Sequence, residues 1–271
     1  MNNTDKVTKI ISVANQKGGV GKTTTVINLA TALVAIKKKI LIIDLDAQGN
    51  ASTGLGVTRE NKIFSVYDVI LGEKNIKQVS YQTQIPSLFI LPANGDLSSI
   101  DIDLSNDKQK LLKLSEVFSS DVFNKMNFDY VFIDCPPSLS LLTLNAFVAS
   151  DSVLVPLQTE FFALEGLTQL LKTIKEVRSN LNKKIKIQGI LLTMFDKRNN
   201  LSSLIEEDVR KNLKELVFKT VIPRNVKLSE APSHSLPALI YDHRCSGSIA
   251  YQKLALELLK REKNNKNSNL V

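Results

Sequence analysis

Residues 15–25 read Asn-Gln-Lys-Gly-Gly-Val-Gly-Lys-Thr-Thr-Thr. These residue types at this spacing can hold a phosphate. Gly18, Gly19 and Gly21 permit the left-handed backbone angles at which N–H groups turn inward around an anion. Lys22 is spaced to reach β- and γ-phosphate oxygens, and the Thr23 hydroxyl to ligate Mg²⁺. Lys17 is the unusual residue. One loop lysine suffices to hold a phosphate, so a second, only five positions away, needs its own explanation. The general pattern G-x-x-x-x-G-K-[ST] also asks for glycine at position 16, where this chain has Gln16.

A phosphate loop needs a strand before it and a helix after it. Residues 10–14 are an apolar, β-branched run suited to a buried parallel strand. Val26, Leu29, Ala30, Leu33 and Val34 recur at helical spacing. The start of that helix adds its positive dipole end to the anion site. Further strands are expected at 40–44, 88–91, 130–134 and 152–156, within 187–195, and at 217–222. Helices are expected at 139–149, 164–177, 201–213 and 249–259. This alternation predicts an α/β fold, a mostly parallel twisted sheet with helices on both faces. The segment 57–84 reads as a polar, irregular excursion off the sheet. Ligands in such folds bind at the carboxyl ends of strands. The loop, Asp44, Asp134 and Asp196 all fall there.

Two acidic strand ends supply the rest of a phosphate chemistry. Asp44 and Asp46 alternate along an extended chain, which puts them on one side of it. Beside a metal and a phosphate, one carboxylate can orient the metal shell and the other polarise an attacking water. Residues 130–134 are four apolar or aromatic residues followed by Asp134, a pattern in which the carboxylate holds Mg²⁺ through water. Pro136 and Pro137 stiffen the segment after it, which suits a switch that senses the γ-phosphate.

The chain is long enough for one domain over residues 1–271, with a polar, flexible tail expected from about 261. No apolar run approaches the roughly 18 residues of a membrane span, and the first residues lack the apolar stretch of a signal peptide. Cys135 and Cys245 have no metal-type spacing, which points to a reduced, cytoplasmic setting. The net charge of +8 permits an anionic partner without choosing between nucleic acid and membrane. Its distribution is more telling. Between Lys183 and Glu230 there are eleven Lys or Arg against six acids, a cluster able to neutralise phosphates and bind DNA irrespective of sequence.

The loop 17–25, the motifs at 44–50 and 134–138, and the segment 221–233 together resemble the ParA/Soj partitioning ATPases of the deviant Walker A group, which also includes MinD. The matches run in family order over nearly the whole chain, and the segment 222–233 points to ParA/Soj specifically. The resemblance implies ATP and Mg²⁺ as ligands and a sandwich dimer of two ATP-bound subunits. It implies nucleotide contacts from Lys17, Gly18, Gly19, Val20, Gly21, Lys22, Thr23 and Thr24, with Pro223 and Asn225 on the adenine side. Lys17 would cross to the partner's phosphates, Asp46 would position the water, and Asp44 and Asp134 would hold the metal through water. Arg198 and Lys227 match positions that bind non-specific double-stranded DNA. Hydrolysis would stay slow until a ParB-like partner stimulates it, in a cytoplasmic protein associated with the nucleoid. A MinD-like membrane ATPase is the alternative. It needs a C-terminal amphipathic helix, whereas residues 261–271 offer almost no apolar face, so no membrane partner is expected.

Overall fold

The structure is a computed structural model and describes residues 7–58, 63–160 and 163–268. In β2 (Ile40–Asp44) every residue is buried, which requires cover on both faces of the strand. The period of two then assigns alternate residues to separate cores. Ile40 and Ile42 pack in one, and Leu41 and Ile43 in the other. β5 (Tyr130–Asp134) divides the same way, Tyr130 and Phe132 from Val131 and Ile133. With β1 (Lys9–Val13), β3 (Tyr81–Gln82), β4 (Leu88–Leu91), β6 (Ser152–Gln158) and β7 (Lys186–Thr193), they form one sheet in the order β3-β4-β2-β5-β1-β6-β7. Every pairing is parallel except β3 with β4.

Five helices of nine or more residues stand among the described residues: α1 (Lys22–Ala35), α2 (Leu141–Ala149), α3 (Ala163–Asn180), α4 (Asn200–Leu213) and α5 (Ser246–Ser268). α1 and α5 cover one face of the sheet with Leu29, Leu33, Tyr251 and Leu258. α2 and α3 cover the other with Phe147, Leu170 and Ile174. The mostly parallel α/β sheet expected from the sequence is the architecture found. No described helix is long and apolar enough to cross a membrane. Phe161 and Phe162, adjacent apolar residues that the sequence alone suggests as core or dimer contacts rather than a ligand platform, lie outside the described residues.

Pro156 shows how the sheet tolerates a residue that cannot donate to a ladder. β1 pairs β6 only as far as Val13 with Leu154. Beyond that point the Pro156 carbonyl accepts Asn15 Nδ2 at 2.7 Å, so the missing N–H faces the side where β1 has given way to the loop.

Three expectations need correction. Residues 217–222 are not a strand. They touch β7 through an isolated bridge of Val217 with Ile190 and through the N–H groups of Phe218 and Ile222, which donate to the Ile190 and Leu192 carbonyls, while side chains take up other backbone groups. Arg210 donates to the Phe218 carbonyl and Arg261 to that of Val217, and Glu257 accepts the N–H groups of Lys219 and Thr220. The segment 57–84 is no irregular excursion. It carries short helices Val66–Ile70 and Ile76–Val79, with Val66, Val69, Ile70, Ile76 and Val79 buried, and it supplies the seventh strand, β3. The last helix does not stop near Leu259 and give way to a tail at 261. It continues to Ser268, fixed by Arg261 and by Glu262, which accepts from the Tyr130 hydroxyl at 2.6 Å and pairs with Lys9.

Candidate nucleotide site

The sheet register brings the loop and two carboxylates together. β1 runs into the loop at Val13, which pairs with Asp134, and Asp44 pairs with Asp134 from the other side. The edge they share opens into a cleft of about 710 Å³. Gly18, Gly19, Gly21, Lys22, Thr23, Thr24 and Asp46 line one part of it, and Ile222, Pro223, Arg224, Asn225 and Leu228 another.

The loop has the geometry of an anion cradle. Gly19 and Gly21 hold φ of 76° and 86°, which a side chain would strain. A Cβ at Gly18 or Gly19 would meet no protein atom within 4 Å, so the space over the loop is open to a ligand. Gly21 is the N-cap of α1, which aims that helix's unpaired N–H groups at the same space. The loop is clamped from β7, where Thr193 Oγ1 donates to the buried Val20 carbonyl at 2.9 Å.

Lys22 opens α1 and is only 7% exposed. Its Nζ donates to the Lys17 carbonyl at 3.0 Å. Burial lowers its pKa, against the opposing pull of Asp134, Cys135 and Asp46. Thr23 Oγ1 donates to Asp134 Oδ2 at 2.6 Å, while Asp134 Oδ1 is buried without a protein partner. Asp44 is also fully buried. Its Oδ2 accepts both the N–H and the hydroxyl of Ser52, at 2.8 and 2.7 Å. Burial pushes its pKa up to about 6 despite those bonds. Burial, then the neighbouring Asp44, hold the Asp134 carboxyl well above the usual range. Asp46 is half-buried and lines the cleft, whereas β2 ends at Asp44, so the expected alternation stops short of it. The Asp46 N–H donates to Asp44 Oδ1 at 3.2 Å instead.

These residues fit Mg²⁺ bound together with a phosphate. Asp134 offers a buried oxygen that nothing in the chain satisfies, beside the Thr23 hydroxyl. Among the described residues no group of three or more His, Cys, Asp or Glu could hold a metal on protein ligands alone. Mg²⁺ commonly completes its shell with water and substrate phosphate.

The crowded acids carry a stability cost with a definite sign. The folded state keeps protons on Asp44 and Asp134 at pH values where the unfolded chain has lost them. Stability therefore falls as pH rises from the ordinary carboxylate value, through about 6 for Asp44. Asp134→Asn keeps an acceptor for Thr23 and places an amide where Oδ1 is orphaned. It should raise the Tm of the nucleotide-free protein at pH 8 by roughly 2–5 °C. Differential scanning calorimetry should show the gain shrinking toward pH 4.

Lys17 stands apart from this cluster. It does not line the cleft, and its side chain is 45% exposed and ion-paired with Glu160. Its backbone is fixed, since its N–H donates to Asn15 Oδ1 at 3.0 Å. Pro223 and Asn225 do reach the cleft. Asn225 caps the short helix Val226–Glu230 through the Lys227 N–H, and its Nδ2 donates to Ser246 Oγ at 2.9 Å.

Arg198 and Lys227 lie in different surroundings. Arg198 lines a second cleft of about 910 Å³ with Lys197, Lys219, Arg224 and Lys253, and it grips Asp196 in a two-bond fork at 3.0 and 2.9 Å. That fork holds the Asp196 carboxyl down at about 2. Lys227 does not line this cleft. It pairs with Glu230 at 2.9 Å and lies over the Tyr241 ring.

Ser52 and Thr193 position the site yet belong to no motif the sequence reading used, and Asn15, which opens the loop, had no role assigned to its side chain there. Thr193 had a signal, because it ends a strand at the same sheet edge as Asp44 and Asp134.

The profile of a family described as an AAA domain matches residues 8–187. The chain is 50% identical over 255 residues to the chromosome partitioning protein ParA of Caulobacter vibrioides, spanning 94% of this chain and 95% of that one. It is 46% identical to the sporulation initiation inhibitor protein Soj of Bacillus subtilis, spanning 92% and 98%. Among solved structures, cobyrinic acid a,c-diamide synthase from Mycobacterium smegmatis with bound ATP analog and magnesium matches at a TM-score of 0.84 and 36% identity, over 96% and 97% of the chains. The cell division ATPase MinD of Pyrococcus furiosus matches at 0.77 and 28%, over 94% and 99%. A loop built for phosphate, acidic strand ends beside it and these full-length relatives agree: the chain belongs to the ParA/Soj family of chromosome-partitioning ATPases.

Proposed function

We propose that this ATPase is a nucleotide-gated dimer that carries DNA. Two ATP-bound subunits meet cleft to cleft, and each sends Lys17 to the phosphates held by the other. Lys22 and the backbone of residues 18–24 hold the β- and γ-phosphates, and Pro223 and Asn225 flank the adenine. The Thr23 hydroxyl would hold Mg²⁺ directly, with Asp44 and Asp134 acting through water. When bound, that ion neutralises charge on the phosphates. Asp46 orients the attacking water. Arg198 and Lys227 meet the DNA backbone without reading sequence, a ParB-like partner stimulates hydrolysis, and the dimer resides on the nucleoid in the cytoplasm.

The observation that carries this reading is the separation of the two lysines. Lys22 is buried at the cradle, while Lys17 does not line the cleft and pairs with Glu160 instead. A lysine rigidly placed beside a phosphate site it does not line is placed to serve a second one. Sedimentation velocity tests this. The mass should double with ATP and Mg²⁺ but not with ADP, and Lys17→Ala should stay monomeric in both. A Lys17→Ala dimer as tight as wild type would refute the trans assignment.

A further inference from the structure

We propose that Glu160 is a latch that holds Lys17 in cis and sets the ATP and protein concentrations at which the dimer forms. This rests on the reading of Lys17 as a residue that acts on the partner's nucleotide.

The pair is built into the frame of the site. Lys17 follows β1, and Glu160 lies just past the end of β6, the strand next to β1 in the sheet. The Glu160 N–H donates to the Gln158 carbonyl at 2.9 Å, which turns the chain as it leaves the strand. Asn15 ties the other side. Its Oδ1 accepts the Lys17 N–H, and its Nδ2 donates to Pro156 on β6. Backbone atoms of the two partners are thus held by one strand pair and one side-chain bridge. Among the described residues, this is the only ion pair Lys17 makes.

Charge makes the two positions of Lys17 exclusive. Its ammonium cannot sit on the Glu160 carboxylate and on a partner's phosphate at once. The side chains are 45% and 31% exposed, so the pair lies at the surface even though the Glu160 Oε1 atom is covered, and it is readily broken. An exposed pair of this kind is worth a factor of about 2 to 5 in an equilibrium. Two latches open for each dimer formed, so removing the carboxylate should tighten dimerisation by about 4- to 25-fold. The arrangement keeps Lys17 away from its own cradle and raises, by that factor, the concentration of ATP-loaded subunits needed to assemble.

Glu160→Gln removes the charge and keeps the shape. Dimer dissociation constants would be measured by sedimentation for wild type, Glu160→Gln, Lys17→Ala and the double variant, with a non-hydrolysable ATP analogue and Mg²⁺. The latch requires tighter dimers for Glu160→Gln over wild type and no difference between Lys17→Ala and the double variant. Equal constants for wild type and Glu160→Gln would overturn the latch and leave the dimer reading intact. Weaker dimers would overturn it by assigning the carboxylate to the assembled interface. A gain that persists without Lys17 would overturn it as a general structural effect. No dimer in any variant would remove both the latch and the reading beneath it.

Discussion

Asp46→Ala should abolish steady-state ATP turnover, a loss of at least about 100-fold, while leaving ATP binding and dimerisation in place. Positioned carboxylates that orient or deprotonate a nucleophile contribute on the order of 10²–10⁴ to a rate. Of the three acids at the site, Asp46 alone lines the cleft, and it is half-buried rather than sealed. Asp44 and Asp134 are enclosed and tied to Ser52 and Thr23. Substitution at Asp46 therefore removes a group facing the cleft without opening the core. Phosphate release measures the loss, and sedimentation with ATP checks that the dimer persists. Unchanged turnover would place the water-orienting group elsewhere.

Lys22→Ala should weaken ATP binding by about 100-fold and also destabilise the nucleotide-free protein. A charge-assisted contact to phosphate is worth about 1.5–3 kcal/mol. The second effect follows from burial. Lys22 is the nearby cation that offsets the crowded Asp134, and its ammonium also satisfies the Lys17 carbonyl. Removing it leaves buried negative charge less compensated, a change that characteristically lowers stability. The apo Tm should fall in Lys22→Ala and rise in Asp134→Asn. Calorimetry on the two variants side by side, with titration of a fluorescent ATP analogue, measures both effects. A Lys22→Ala protein that binds ATP at wild-type affinity would contradict the account.

The phosphate loop and its supporting acids were legible because their spacing is local. Residues 15–25 are contiguous, and Asp44 and Asp134 end apolar runs that could only be buried parallel strands. What escaped depends on contacts between distant residues. The segment 217–222 has strand-like composition, yet Arg210, Glu257 and Arg261 capture its backbone from two separate helices. Residues 57–84 look polar in aggregate, yet apolar side chains at 66, 69, 70, 76 and 79 fall at helical spacing and pack into the core on one face of the sheet. Charge was only partly legible, for a comparable reason. Composition counts cations but not their partners, and Lys17, Arg198 and Lys227 each meet an acid in cis: Glu160, Asp196 and Glu230. Three residues read as reaching outward are held, in the single chain, by their own neighbours.

Those cis pairs make one prediction about output. DNA phosphates must compete with Asp196 and Glu230 for the same cations, so a lone subunit should bind DNA weakly. Joining two basic surfaces in an ATP-bound dimer raises affinity through multivalency. The most direct test is a DNA-binding titration at fixed salt with ATP, with ADP and without nucleotide, on wild type and Lys17→Ala. Wild type should bind random-sequence duplex tightly with ATP only, and Lys17→Ala should bind weakly in all three states. Equal affinity across nucleotide states, or full ATP-dependent binding without Lys17, would contradict the account.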